Sequence, residues 1–466
     1  MHDVPDRYKQ EVNTDENLAV ERLSTAISFP TVNAADPAEV PDPAVFARFE
    51  QFLVDSYPRV HATLTREELG DPGLLYTWEG RSESAEPVVL TAHYDVVPAD
   101  TSDDWAHAPF AGDVADGAVW GRGALDDKSG LISILEAAER LIARGFTPQR
   151  TVLFAFGGDE EVTGRRGAGQ IASVLAERGV TASCLVDEGS AVVENTVSLV
   201  DRPIALIGTA EKGYVDVRLT VRGADGHAAM PGRRTTVGRL ARALARIERR
   251  PFPARLEPSV VEFLKVIASA APTAYRPVLR FPRLFAPILK LILANDPKTD
   301  ALIRTTQAPT MLYGSSAPNV LPSVAEAVVN IRILPGETIE SVCTRLRRVV
   351  SDKGVEVSVL NPTGSGEPIA SAPLDTETYR NLCAVVTRQF SDAVVAPYLV
   401  TSATDSRHYR GVARAMYRFL PVRMNPALLD TVHGVDERIG VADYLSMIEF
   451  YTDLIETLSH GVADSE

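Results

Sequence analysis

The chain has 466 residues, 45% of them hydrophobic and 23% charged, which suits a soluble globular protein of two domains. Its 47 Lys and Arg against 62 Asp and Glu give a net charge of -15, which argues against nucleic acid or an anionic membrane surface as the main partner. Three scattered cysteines, Cys184, Cys343 and Cys383, form neither a disulfide framework nor a thiolate zinc site.

The N-terminus, MHDVPDRYKQEVNTDENLAVERL, lacks the basic-then-apolar layout of an export signal. No apolar run reaches the roughly 18 residues that span a bilayer, so a cytoplasmic location without a membrane span is expected. From residue 16 to 205, short apolar strands alternate with helical patterns. The strands are read at 87–95, 151–158 and 183–189, and the helices at 131–145 and 171–179. That rhythm predicts an α/β sheet covered by helices.

After Pro203 the texture changes. Residues 211–223 alternate like a half-exposed strand, 235–250 form an amphipathic helix, and 325–336 alternate again, followed by a helix at 340–354 and a strand at 355–360. Strand, helix, strand, helix and strand predict a small α+β domain inserted into the larger one. Within it, residues 251–310 are irregular, Pro-rich and apolar, including SVVEFLKVIASA and LRFPRLFAPILKLILAN. This stretch reads either as extra helices on the insert or a dimer interface, or as a wall for an apolar substrate chain. Helical texture returns near residue 370 and ends at 443–458, and no internal repeat or low-complexity tract interrupts the chain.

Five polar clusters sit at predicted strand ends or in loops. TVLFAFGGDEEVTG places Asp159, Glu160 and Glu161 after a central strand, where an acidic surface loop competes with a cation site. His93 and Asp95 in TAHYD lie two apart on a strand and so leave from the same face. Asp126 and Asp127 in WGRGALDDKSG open a helix, where one could serve as N-cap. Asp187 and Glu188 follow the strand in LVDEG, and His433 lies in DTVHGVDERIG. Two histidines and several carboxylates without cysteine fit a borderline metal such as Zn2+. Two ions about 3.5–4 Å apart would share one carboxylate.

In this order the motifs HxD, GRGxxDDK, GDEE, VDEG and HG resemble the co-catalytic zinc amidohydrolases. That family includes carboxypeptidase S, the aminoacylases and succinyl-diaminopimelate desuccinylase. HYDVVP, WGRGALDDKS, IGTAEKG, GHAAMP and ATDSRHY are most similar to the carboxypeptidase S and N-fatty-acyl-amino-acid synthase/hydrolase branch. The resemblance implies a phosphorylase/hydrolase-like α/β catalytic domain formed by residues 1–206 and 363–466. It also implies a ferredoxin-like α+β lid and dimerisation domain at 207–362, with 251–310 as an apolar insert.

The resemblance further implies His93, Asp126 and Asp187 on one ion and Asp126, Glu161 and His433 on the other, with Asp126 bridging. Zn2+ leads, with Co2+ or Mn2+ as alternatives. Glu160 becomes the general base, which takes a proton from the attacking water and passes it to the leaving amine. Asp95 would fix the His93 imidazole, and Asp127, Asp159 and Glu188 would be structural.

His227 in GADGHAAMPG would reach the partner's site across a homodimer and bind the oxyanion. Asn319, Arg332 and Arg407 match polar substrate contacts, and a guanidinium suits a carboxylate. The expected reaction is hydrolysis of an N-acyl amino acid or small peptide, releasing a free amino acid. A metallo-carboxypeptidase or dipeptidase is the nearest alternative, and a non-catalytic metal-dependent binding protein the more distant one.

Overall fold

The structure, a computed structural model, describes residues 14–33, 41–100, 102–197 and 199–460. Its contacts divide the chain into two units. The first comprises residues 1–207, 373–395 and 404–466, and the second 208–372 and 396–403.

In the first unit, strands run in the order Thr65–Glu68, Gly73–Trp78, Val152–Gly157, Val88–His93, Cys184–Asp187 and Met416–Arg418. Val152–Gly157, Val88–His93, Cys184–Asp187 and Met416–Arg418 are mutually parallel, and Gly73–Trp78 is antiparallel to its neighbour. The three parallel strands foreseen from sequence are buried along their whole length. This explains their continuous rather than alternating apolar pattern. Leu75, Val89, Leu153, Ala155 and Leu185 pack with Ile171 and Leu175 of the helix Ala168–Glu177. The helix Lys128–Ala143 packs against Val88–His93 and is itself covered by Val441–Ser459.

Register determines what this sheet presents. His93 lies opposite Gly157, and Asp187 opposite Arg418, so the carboxyl ends of the parallel strands share one edge. In open α/β sheets this edge is where ligands bind.

The second unit is a four-stranded antiparallel sheet in the order Thr306–Tyr313, Val324–Ile333, Gly213–Arg222 and Val355–Val359. Val215, Val217, Leu219, Val329 and Ile331 pack against Leu240 and Ile247 of the helix Thr236–Glu248 and against Val342 and Leu346 of Ile339–Val350. Thr235 caps the first of these helices, and Thr338 with Ser341 forms a capping box on the second.

Where the sequence pattern suggests three strands and an irregular stretch running to residue 310, Thr306–Tyr313 forms a fourth, edge strand, preceded by helices Pro258–Ile267, Arg276–Arg280, Ala286–Leu293 and Pro297–Ile303. Pro309 and the irregularity between Pro309 and Met311 hide this strand, because a proline cannot donate to a ladder and is tolerated at an edge. Its mostly exposed side chains also lack the alternation of an inner strand. Among the described residues, no helix is long and apolar enough to cross a membrane.

Candidate metal centre

His93 closes its strand almost wholly buried, with Nδ1 3.1 Å from the backbone oxygen of Asp95 and 3.4 Å from Asp95 Oδ1. An imidazole facing two acceptors at Nδ1 keeps its proton there. The Nε2 lone pair then faces Asp126 Oδ1 at 2.9 Å. On the other side, His433 Nε2 lies 3.0 Å from Asp126 Oδ2 and 3.2 Å from Glu161 Oε1. Each oxygen of Asp126 thus meets one imidazole nitrogen. Ligand atoms of His93, Asp126 and Glu161 all lie within 4.8 Å of one another.

Electrostatics says what this cluster lacks. Burial opposes charge on His93, but Asp126 and Asp95 outweigh it and push its pKa well above the usual imidazole value. Hydrogen bonding to Asp126 and Glu161 raises His433 to about 10. Burial raises the carboxyl of Glu161, and burial with Asp405 and Glu161 raises that of Glu160, against the pull of His93 and Arg407. Imidazole nitrogens and carboxylate oxygens gathered in a largely buried cluster, with His433 at its exposed rim, demand positive charge between them. Divalent cations with N and O ligands fit that demand.

The acidic loop is held from behind. Asp95, fully buried, accepts the backbone N–H of Glu160 through Oδ1 and of Glu161 through Oδ2, both at 3.1 Å. Asn33 Nδ2 donates to Asp95 Oδ2 at 3.3 Å and to Gly158 O at 2.5 Å. Asp159 turns away: its carboxylate accepts from the amides of Arg166 and Gly167, both at 2.8 Å, and so closes the loop. Gly158 has no room for a side chain, since a Cβ there would lie 2.5 Å from Pro72 Cγ.

The Asp126 loop depends on a residue that sequence reasoning missed. Glu437, fully buried, accepts from the amides of Gly123, Leu125 and Asp126 through Oε1, at 3.1, 2.8 and 3.2 Å. Its Oε2 accepts from Arg122 Nη1 at 2.7 Å, and Arg122 Nη2 donates to the backbone oxygen of His433 at 3.1 Å. One ion pair therefore positions both the carboxylate and the imidazole it meets. The arginine inside the Gly-rich GRG turn was the available signal. A long cation in so tight a turn has a buried partner.

Capping does not explain the aspartate pair. Asp127 occupies the N-cap position of Lys128–Ala143 without a side-chain capping bond, and Asp126 is turned toward the histidines. Asp187 stands at the same sheet edge. Its Oδ1 accepts from the amide of Glu188 at 3.0 Å and its Oδ2 from that of Ser406 at 2.7 Å. Ser406 Oγ in turn accepts from the buried Arg418 at 2.6 Å.

Arg407 lies in the turn Asp405–Gly411, with Nη2 donating to Thr163 O at 2.8 Å just beyond the acidic loop. The other three predicted residues belong to the second unit. His227 is exposed in a short strand opposite Val320, and Asn319 O accepts from the amide of Ala228 at 2.9 Å. His227 Nδ1 accepts the Ala229 amide at 3.0 Å, so in the neutral ring the proton sits on Nε2. Arg332 stacks over Tyr214, 4.7 Å from the ring centroid.

A buried parallel strand ending in His93, beside a cluster of carboxylates and the loop histidine His433, fits the class of metal-dependent hydrolases. Residues 89–457 match Peptidase family M20/M25/M40, and the chain belongs to that family. It is 35% identical over 457 residues to the N-fatty-acyl-amino acid synthase/hydrolase PM20D1 of Mus musculus, covering 97% of this chain and 90% of that protein. It is 33% identical over 455 residues to "Probable carboxypeptidase S-like 2" of Dictyostelium discoideum, covering 97% and 87%. In structure it resembles the M20 family metallo-carboxypeptidase Sso-CP2 from Sulfolobus solfataricus. The TM-score is 0.70 at 16% identity, over 96% of this chain and all of that one. The fold expected from the sequence motifs is the fold found, and the protein is a metallo-amidohydrolase.

Proposed function

We propose that the protein hydrolyses the amide of N-acyl amino acids with hydrophobic acyl groups, using Glu160 as general base and releasing a free amino acid. One observation carries this reading. Glu160 and Glu161 hang by their amides from the same carboxylate, Asp95, yet only Glu161 enters the contacts with His433. Adjacent glutamates are thereby divided, one for a cation and one for a proton.

His93, Asp126 and Asp187 would hold one divalent cation, and Asp126, Glu161 and His433 a second, with Zn2+ first among Zn2+, Co2+ and Mn2+. Bound there, such ions supply Lewis acidity to a water and to the amide carbonyl. Glu160 takes the proton of the attacking water and returns it to the leaving amine nitrogen as the carbon–nitrogen bond breaks. His227 Nε2–H donates to the developing oxyanion. Arg407 serves the substrate carboxylate, with Asn319 and Arg332 as further polar contacts.

A homodimer supplies His227 across subunits in this reading. Its support is the edge strand Thr306–Tyr313, whose outer side has no partner strand among the described residues and whose Met311, Leu312 and Tyr313 are exposed.

The mouse relative's name favours acyl amino acids, whereas the Dictyostelium name favours peptides, the second reading. A panel of N-acyl amino acids and dipeptides, assayed for free amino acid with metal-replete protein and with Glu160→Gln, separates them. Turnover of acyl substrates that vanishes in the variant supports the deacylase, and turnover of dipeptides alone supports the peptidase. Neither activity, with two ions bound, returns the protein to a binding role.

A further inference from the structure

Residues 272–295 form the short helices Arg276–Arg280 and Ala286–Leu293 with a turn between them. Leu279 and Leu289 point inward and are buried. Tyr275, Phe281, Leu284, Ile288, Leu291 and Ile292 are each at least 50% exposed, with Leu284 at 74% and Leu291 at 71%. Ile288, Leu291 and Ile292 follow the spacing i, i+3, i+4, share one helix side and are all exposed, whereas Leu289 is buried. An amphipathic helix ordinarily buries that stripe, and an outward cluster of this kind marks a contact surface.

Charge narrows the kind of contact. Arg276, Arg280, Arg283 and Lys290 lie among these apolar residues, and the segment contains no Asp or Glu. Among the described residues, Arg280, Arg283 and Lys290 have no ion-pair partner. The surrounding unit follows suit: residues 208–372 hold 23 Lys and Arg against 14 Asp and Glu, a balance of +9, and residues 396–403 add none. The rest of the chain keeps 24 against 48, or -24. The whole-chain balance of -15, which argues against an anionic surface, averages over two units of opposite sign.

We propose that this apolar, basic face of the second unit docks onto an anionic lipid bilayer. Protruding aromatic and branched side chains enter the boundary between headgroups and acyl chains, while arginine and lysine extend their stems to the phosphates. A second copy of the chain is disfavoured because it would set the same unpaired cations against each other. The contact is superficial, since no described helix is long and apolar enough to span. Amphiphilic N-acyl amino acids would be met in the same leaflet. That consequence rests on the deacylase reading, whereas the docking does not.

The test is flotation of the metal-replete full chain with vesicles of phosphatidylcholine alone or mixed with phosphatidylglycerol. Flotation with the anionic vesicles only, weakened by salt, is expected. Each basic residue near an anionic leaflet strengthens binding about fivefold, so Arg280→Ala with Arg283→Ala weakens partitioning about 25-fold. Leu284→Asp with Leu291→Asp abolishes it, and a melting curve overlaying the wild type shows that this variant folds. Absence of flotation with both vesicle types overturns the proposal, as does flotation unchanged in the variants. Loss of a wild-type dimer in the aspartate variant without vesicle binding assigns the face to a second copy. Binding to an acidic protein but not to vesicles assigns it to a protein partner.

Discussion

In the proposed mechanism Asp95 joins the two halves of the chemistry, because it contacts the His93 ring and accepts the amides of Glu160 and Glu161. Asp95→Asn keeps the size and loses the charge, so cation affinity and kcat should each fall about 10- to 100-fold. Titration of bound metal and steady-state kinetics measure the two. For the glutamates the expectation diverges. Glu160→Gln should keep both ions and lose about 100- to 10,000-fold in kcat, whereas Glu161→Ala should lose one ion; metal analysis showing equal loss in both would break the assignment. The grouping of His93, Asp126, Glu161 and His433 was legible because strand ends and short motifs carry them. Glu437 was not, since its role arises from a contact across 315 residues that spacing cannot encode.

Among the elements, the buried parallel strands were readable as short apolar runs bounded by glycine or acid, while the edge strand Thr306–Tyr313 was obscured by Pro309. Lys212 illustrates how the insert is tied down. Its Nζ donates to Ala301 O at 3.0 Å and Arg304 O at 2.9 Å, which holds the end of helix Pro297–Ile303. Burial and then Arg332 lower its pKa to about 7 from 10.5. The folded chain therefore binds fewer protons at this lysine than the unfolded chain between these values. Its destabilising share is fully present below pH 7, and stability should climb as pH rises toward 10.5. Urea unfolding of Lys212→Met should show a smaller climb over that window than the wild type. On the neighbouring sheet, Thr338→Ala removes the capping box of Ile339–Val350 and should cost about 1 kcal/mol in the same assay.

At the scale of the whole molecule, the change of texture after Pro203 leads to the expectation of an inserted domain at 207–362, whereas the contacts gather residues 208–372 and 396–403 into the second unit. The boundary at 395/396 falls inside the strand Val394–Val400, while those at 372 and 403 fall outside regular elements, where no change of texture marks them. The proposed dimer makes a prediction that neither unit makes alone. If His227 serves the partner's site, Glu160→Gln and His227→Ala homodimers are both inactive. Mixing and reassembling them should restore about a quarter of wild-type activity, because half the dimers are hybrids with one intact site of two. Recovery of no activity, from variants shown to exchange subunits, would mean that His227 serves its own subunit's site, and an active His227→Ala homodimer would place it outside the reaction.

The Glu437 link also has a consequence for the order of biosynthesis. A ribosome releases Gly123, Leu125 and Asp126 some three hundred residues before the carboxylate that pairs their amides, and His433 arrives with it. The nascent chain thus carries its histidine and acidic strand ends long before it can organise them. On the proposed ligand assignment, a cation held by both Asp126 and His433 would find its site complete only near the close of translation.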